Sequence, residues 1–408
     1  MHDFPCRHFI HASLALAFFA ATLVSQDSLA LQDTEQRHTG VVPAADLRPT
    51  PQVLWKYTEE GKSFSEIIVF DGIVMGLDRQ GTIHALSAET GKLIWQRDGF
   101  QFDYGYGLEL TRDPEFDVLL VGCDLGVTVL DRKTGKLIWE KSIDQGVDGP
   151  TCTKNRVLAA SSDGKVYCLE LKTGKTVWKH DYLSDRPDDP EGFDGERARF
   201  TGRPARPQSA SNDGKNVYFS VFDQCRIVAV NIETGKRSWA TNSQGWMRPR
   251  PVTAGSRVFV ASQDKFLYSL AADEGNILWK FKTGSYNSAS GAVGKNNYYF
   301  GSNDSFIYAL DIDMGTLRWK FKTQPVEKRN GIYAQCQLVG DHLLASTLYG
   351  RLYLLDKETG KEIWNMIPAP KSRISGEPQV EGNTIFLATG KMDAANGESC
   401  IMALRQQD

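Results

Sequence analysis

Residues 88–95 read AETGKLIW, and the same turn and strand return as RKTGKLIW (132–139), LKTGKTVW (171–178), IETGKRSW (232–239), ADEGNILW (272–279), IDMGTLRW (312–319) and KETGKEIW (357–364). An eighth tryptophan, Trp55 in PQVLWKY, ends a similar strand without that turn before it. The steps from Trp55 through Trp95, Trp139, Trp178, Trp239, Trp279 and Trp319 to Trp364 are 40, 44, 39, 61, 40, 40 and 45 residues. A period near 40 residues marks one supersecondary unit repeated along nearly the whole chain.

Ahead of each turn stands an alternating apolar segment, such as IHALS (83–87), VYCLE (166–170), IYALD (307–311) and, last, IMALR (401–405). Period-2 alternation reads as strand, and the glycine that follows supplies a tight hairpin. An earlier strand, as in RVLAASSDGK (156–165), and a weaker one, as in RPRPVTAGS (248–256), bring the unit to four strands. That is the content of a propeller blade. The first tryptophan strand precedes every third strand, whereas the last third strand has no tryptophan strand after it. Pairing Val53–Tyr57 with Ile401–Leu404 would cover both exposed edges. The expected fold is therefore all-β: an eight-bladed β-propeller of four-stranded blades over 50–408, its ring closed by the N- and C-terminal strands.

Composition is that of a globular protein, 41% hydrophobic and 24% charged, and a net charge of -3 offers no basic excess for nucleic acid. Arg7 precedes an apolar run from about Ile10 to Val24 that ends in Ser28-Leu29-Ala30, the pattern of a secretory signal cleaved after Ala30. Residues 1–30 are thus read as a signal peptide and 31–49 as a linker, which predicts a periplasmic or secreted protein without a later membrane span. An uncleaved N-terminal anchor is the competing reading. Cys6 lies too early for lipid attachment. The other six cysteines, Cys123, Cys152, Cys168, Cys225, Cys336 and Cys400, have neither CxxC nor adjacent-pair spacing. They predict no zinc or dithiol site and leave disulfide pairing open.

The repeated Y-x-L-D-x-x-T-G-K-x-x-W resembles the pyrroloquinoline-quinone (PQQ)-type repeat, over roughly residues 50–405. That resemblance implies that Trp55, Trp95, Trp139, Trp178, Trp239, Trp279, Trp319 and Trp364 are structural docking residues between blades. It is shared by quinoprotein dehydrogenases and by non-catalytic propellers such as the outer-membrane assembly factor BamB. The dehydrogenases hold their quinone beneath an adjacent-cysteine disulfide, with calcium on Glu, Asn and Asp side chains and an Asp as base. No Cys-Cys pair occurs here. Asp78, Asp124, Asp163, Asp264 and Asp304 recur at one repeat position, which marks them as hairpin-shaping. Asp393, Asn396 and Glu398 fit no calcium-loop spacing. His84 fills a strand position usually held by an aromatic residue, and no Ser/His/Asp triad is indicated. No catalytic residue or metal site is assigned. The expectation is an exported, monomeric, non-catalytic binding or scaffold propeller without a cofactor; the alternative is a PQQ- and calcium-dependent oxidoreductase.

Length variation and unrepeated residues locate the expected binding face. The 61-residue step holds an insertion at 180–207. Loop positions ahead of each first strand carry Tyr104, Tyr106, Arg203, Arg206, Trp246, Arg248, Arg250, Asn287, Arg329, Tyr333, Lys371, Arg373 and Glu377. Trp246 is the one tryptophan outside the docking positions. Arg206, Arg250 and Glu377 each precede a proline in one register, which predicts a ring around the channel mouth. Aromatic and guanidinium groups there suit a protein segment or a small anionic or sugar ligand; inter-blade ion pairing is the structural alternative.

Overall fold

The computed structural model describes residues 41–42, 47, 49–100, 107–110, 116–147, 149–153, 155–181, 210–221, 224–326, 331–332, 336–391 and 397–405. Eight sheets, each with four antiparallel strands, follow one another as blades of a ring. Blade 1 shows the plan, with strands Phe64–Phe70, Ile73–Asp78, Ile83–Ser87 and Leu93–Arg97. In blade 8 the strands Ser372–Glu381, Thr384–Lys391 and Cys400–Arg405 are completed by Gln52–Tyr57. Val53 lies opposite Leu404 and Tyr57 opposite Ile401, so the two termini close the ring as expected.

First strands face the axis and touch from blade to blade, while the tryptophan strands form the outer wall. Turns from first to second and from third to outer strand lie on one face, the docking face. The second-to-third turns and the links between blades lie on the other, the linker face.

Eight apolar clusters fill the eight interfaces between neighbouring blades, and each contains one docking tryptophan. All eight indole N–H groups donate across the interface to a backbone carbonyl, at 2.7–3.0 Å. In seven of them the acceptor is the residue that follows the next blade's third strand, such as Ala272 for Trp239. The indole also lies on that blade's turn glycine. A Cβ on Gly275, at φ +76°, would stand 2.5 Å from the Trp239 ring, so only glycine permits the contact.

In every blade the register between third and outer strand shifts beside the tryptophan. The bulge adds one residue to the outer strand and breaks its alternation. This is why Leu93 and Ile94, or Leu137 and Ile138, are both exposed beside a tryptophan that turns inward.

The stretch expected to be a linker contributes to the ring. Val41–Val42 pairs in parallel with the axial edge of Gln337–Val339 and makes blade 7 five-stranded. Leu47, 1% exposed, sits between blades 7 and 8, and its carbonyl accepts the Trp364 indole N–H at 2.7 Å. The reason is geometric: third and outer strands of blade 8 come from opposite ends of the chain, so no continuous turn is available to receive Trp364. The signal peptide expected at 1–30 lies outside the described residues, among which no helix is long and apolar enough to cross a membrane.

All six cysteines in the ring are buried thiols, none of them in a disulfide. Burial pushes the Cys168 and Cys336 thiols up to about 12 and Cys400 up to about 11. A thiolate is the reactive form, so Ellman's reagent should label none of the six in the native protein within an hour and all six after unfolding. Native labelling of two or more would contradict the packing.

Candidate functional site

The linker face is built on a repeated polar device. Asp163, Asp264 and Asp304 each accept a backbone N–H two residues on with one oxygen, at 2.9, 2.9 and 3.1 Å. The other oxygen accepts the hydroxyl of Tyr167, Tyr268 or Tyr308 at 2.6–2.7 Å. These carboxylates shape hairpins, and Asp264 and Asp304 also accept a backbone N–H from the link that precedes their blade.

At the seam between blades 8 and 1 the device is altered. His84, fully buried, replaces the tyrosine and its Nε2 meets Asp78 Oδ2 at 3.0 Å. Lys62 Nζ reaches the same oxygen at 2.9 Å, while Oδ1 accepts the N–H groups of Gln80 and Thr82 at 2.8 and 2.9 Å. On the other side of the ring, His84 Nδ1 faces the Tyr57 hydroxyl at 3.2 Å and Glu59 at 3.4 Å. Burial pushes the Asp78 carboxyl up, but hydrogen bonds from His84, the Thr82 backbone and Lys62 outweigh it and hold the group at about 2. A depressed carboxyl contributes stability that is present above its unfolded pKa and lost as pH falls through the folded one. Comparing wild type with Asp78→Asn by urea unfolding, the stability gap should be constant from pH 5 to 7 and shrink by about 2 kcal/mol between pH 4 and pH 2. A gap that does not change with pH would refute the assignment.

Of the residues singled out in the sequence, Trp246 is 42% exposed on the link between blades 4 and 5, Arg248 is exposed and Arg250 half-buried. Glu377 and Arg250 do share a register: both lie four residues before the hairpin formed by Glu381↔Thr384 in blade 8 and Ala254↔Arg257 in blade 5. Glu377, however, sits in a bulge within a ten-residue strand, and Arg373 lies earlier in that strand. Both are half-buried, and Lys371 is exposed just outside. Asn287 is not a surface residue. It is 0% exposed, its N–H bonds Ser262 O at 3.2 Å and its Oδ1 meets Thr283 Oγ1 at 3.1 Å, so it shapes the link. Tyr104, Tyr106, Arg203, Arg206, Arg329 and Tyr333 lie outside the described residues, as do Asp393, Asn396 and residues 182–209 of the insertion region. Glu398, the third member of that acidic trio, pairs with Lys56 at 2.5 Å.

Two features escaped the sequence reading. Tyr286, 40% exposed, is the structural equivalent of Trp246 one blade on. Their carbonyls accept matching bonds, from Gln263 N at 2.8 Å and Asn303 N at 3.2 Å. The signal was the shared distance of seven residues after Trp239 and Trp279. On the outer strands of blades 5 and 6, Lys280 and Lys282 lie 4.8 and 5.9 Å from the centre of the Phe266 ring, and Lys320 lies 4.9 Å from that of Phe306.

The family model PQQ_2, described as outer membrane protein assembly factor BamB, matches residues 116–187, 163–331 and 303–403. The chain belongs to this family. It is 22% identical over 265 residues to the outer membrane protein assembly factor BamB of Burkholderia pseudomallei, covering 60% of this chain and 63% of that protein. It is 25% identical over 143 residues to the BamB of Yersinia pestis, covering 32% of this chain and 36% of that one. The chain thus spans less than two thirds of the length of these curated relatives. A quinohemoprotein alcohol dehydrogenase of Comamonas testosteroni is 23% identical over 253 residues, covering 56% of this chain and 34% of that enzyme. In fold, the chain resembles the crystal structure of BamB from Moraxella catarrhalis, with a TM-score of 0.63 at 15% identity, covering 88% of this chain and all of that one. The Comamonas dehydrogenase structure gives a TM-score of 0.68 at 14% identity, covering 90% and 78%. At such identities the likeness is one of ring architecture, and it does not separate a BamB-type scaffold from an enzyme. Among the described residues no group of three His, Cys, Asp or Glu side chains is placed to hold a metal ion.

Proposed function

We propose that this BamB-family ring is an exported, non-catalytic scaffold of the cell envelope that holds a protein partner on its linker face, in the service of outer-membrane protein assembly. The observation that carries the reading is the match of the BamB family model through residue 403 of the ring. It is supported by the signal-like N-terminus and by the arrangement of polar groups. The repeated aromatic and acidic residues are committed to docking and hairpins, whereas Trp246, its equivalent Tyr286 and Arg248 stand exposed on that face.

The test is genetic and biochemical. Deleting the gene should lower the amount of β-barrel proteins in the outer membrane several-fold, wild type should restore them, and a Trp246→Ala/Arg248→Ala/Arg250→Ala variant should restore them poorly. Unchanged barrel content together with loss of a dye-linked alcohol oxidation would replace the scaffold with the quinone-dependent oxidoreductase reading.

A further inference from the structure

Resting on the scaffold reading, we infer that the linker-face shoulder of blades 5 and 6 docks an acidic, extended polypeptide segment along an outer-strand edge. The outer strands Ile277–Lys282 and Leu317–Lys322 each pair on one side only, so their far edges present unpaired backbone groups. Pairing Tyr268↔Lys280 and Phe266↔Lys282 puts both lysines on one side of the sheet, two residues apart. Lys320 and Lys322 repeat the arrangement against Tyr308 and Phe306. With the exposed Lys265 and Arg248, cations crowd this sector of a chain whose net charge is -3.

The carboxylates in reach are already engaged. Asp264 binds Tyr268 and Gln244 N, and Asp304 binds Tyr308 and Gly284 N. No carboxylate among the described residues pairs with Lys265, Lys280, Lys282, Lys320 or Lys322. The corresponding outer-strand positions elsewhere carry Gln96 in blade 1, Glu140 and Ser142 in blade 2, Lys179 with Asp181 in blade 3, Ala240 and Asn242 in blade 4, Asn365 in blade 7 and Lys56, paired with Glu398, in blade 8, so the doubled lysines belong to blades 5 and 6.

Charge selects the occupant. Lysines on a free edge repel an identical edge, which disfavours a second copy of this chain, and they attract a strand with carboxylates at every second residue. Lys280 and Lys282 are about 6.6 Å apart along the side wall, whereas Trp246 and Tyr286 stand on the linker face. A flat bilayer cannot meet both surfaces, but an extended chain can bend over the shoulder.

The test uses the whole mature protein and a fluorescein-labelled ten-residue peptide of alternating Glu and Val, with its Gln-Val counterpart, read by anisotropy at low and moderate salt. The Glu peptide should bind at least about 10-fold tighter than the Gln peptide, with the preference falling as salt rises. The exposed quadruple variant K280E/K282E/K320E/K322E should lose that preference while keeping its thermal midpoint. The charge-matched K92E/K133E/K136E/K175E, altered on the docking face, should keep it. Equal affinity for the two peptides, retention by the first variant or loss in the second would overturn the assignment, as would capture by phosphatidylglycerol vesicles that the Glu peptide fails to compete. If barrel assembly depends on the ring while the peptides are not discriminated, this site falls and the scaffold reading stands.

Discussion

Replacing Arg132 with alanine is expected to cost the ring about 2–3 kcal/mol, the scale of hydrogen bonds to charged groups, because Asp117, 31% exposed, can be resolvated once its partner is gone. Arg132 is 0% exposed although it carries a full charge. Its Nε and Nη2 bond both oxygens of Asp117, at 2.6 and 2.5 Å, Nη1 donates to Phe70 O at 2.9 Å, and Nη2 reaches Asp71 at 3.3 Å. The guanidinium also lies 5.0 Å from the Phe70 ring centre. Hydrogen bonds donated to Asp117 act against burial and raise the already high Arg132 pKa, so the side chain stays charged at any pH of interest. It ties blade 2 to the first hairpin of blade 1. Alanine would leave Asp117 without its fork and open a cavity; methionine, which restores volume but not charge, should recover part of the loss. Urea unfolding of the three proteins measures this. A cost under 1 kcal/mol for alanine would show that the network contributes little.

The second large effect is expected at the N-terminus. A protein truncated before Pro51 loses Leu47 from the interface of blades 7 and 8 and leaves the Trp364 N–H without its acceptor. Burial of one leucine side chain and one unsatisfied buried donor together suggest a loss of about 3–5 kcal/mol. Truncation before Thr58 also removes the strand that covers Cys400–Arg405 and takes Trp55 out of the interface of blades 8 and 1. That ring has a bare edge and should be recovered as aggregate. Size-exclusion chromatography and urea unfolding distinguish the two. If the longer truncation remains a soluble monomer of wild-type stability, closure by both termini is not what holds the ring.

The blade count and the closing strand were legible because each repeat had to keep one tryptophan, one turn glycine and one alternating strand to dock its neighbour. Arg132 was legible in principle: it stands where Leu171, Ile232 and Ile312 stand in three other blades, a mostly apolar slot that holds a charge here and, as Lys357, in blade 7. Its partners Asp71 and Asp117 belong to other hairpins, and a single repeat alignment does not pair them. The Val41–Val42 strand and Leu47 carry no repeat pattern, since they substitute for a turn that the split eighth blade lacks. On the linker face, Trp246 was conspicuous by its type. Tyr286 and the lysine shoulder were not, because tyrosine and lysine are common surface residues and only the pairing register sets them side by side. Asn287 shows the converse, a polar loop residue that folding turns inward.

The claim that this ring holds partners and does not oxidise substrates is tested most directly by adding pyrroloquinoline quinone and calcium to the purified protein. A ligand that binds the native state must raise its thermal midpoint. The scaffold reading predicts a midpoint unmoved by either addition and no dye reduction with primary alcohols or sugars; a saturable rise of several degrees accompanied by dye-linked oxidation would contradict it.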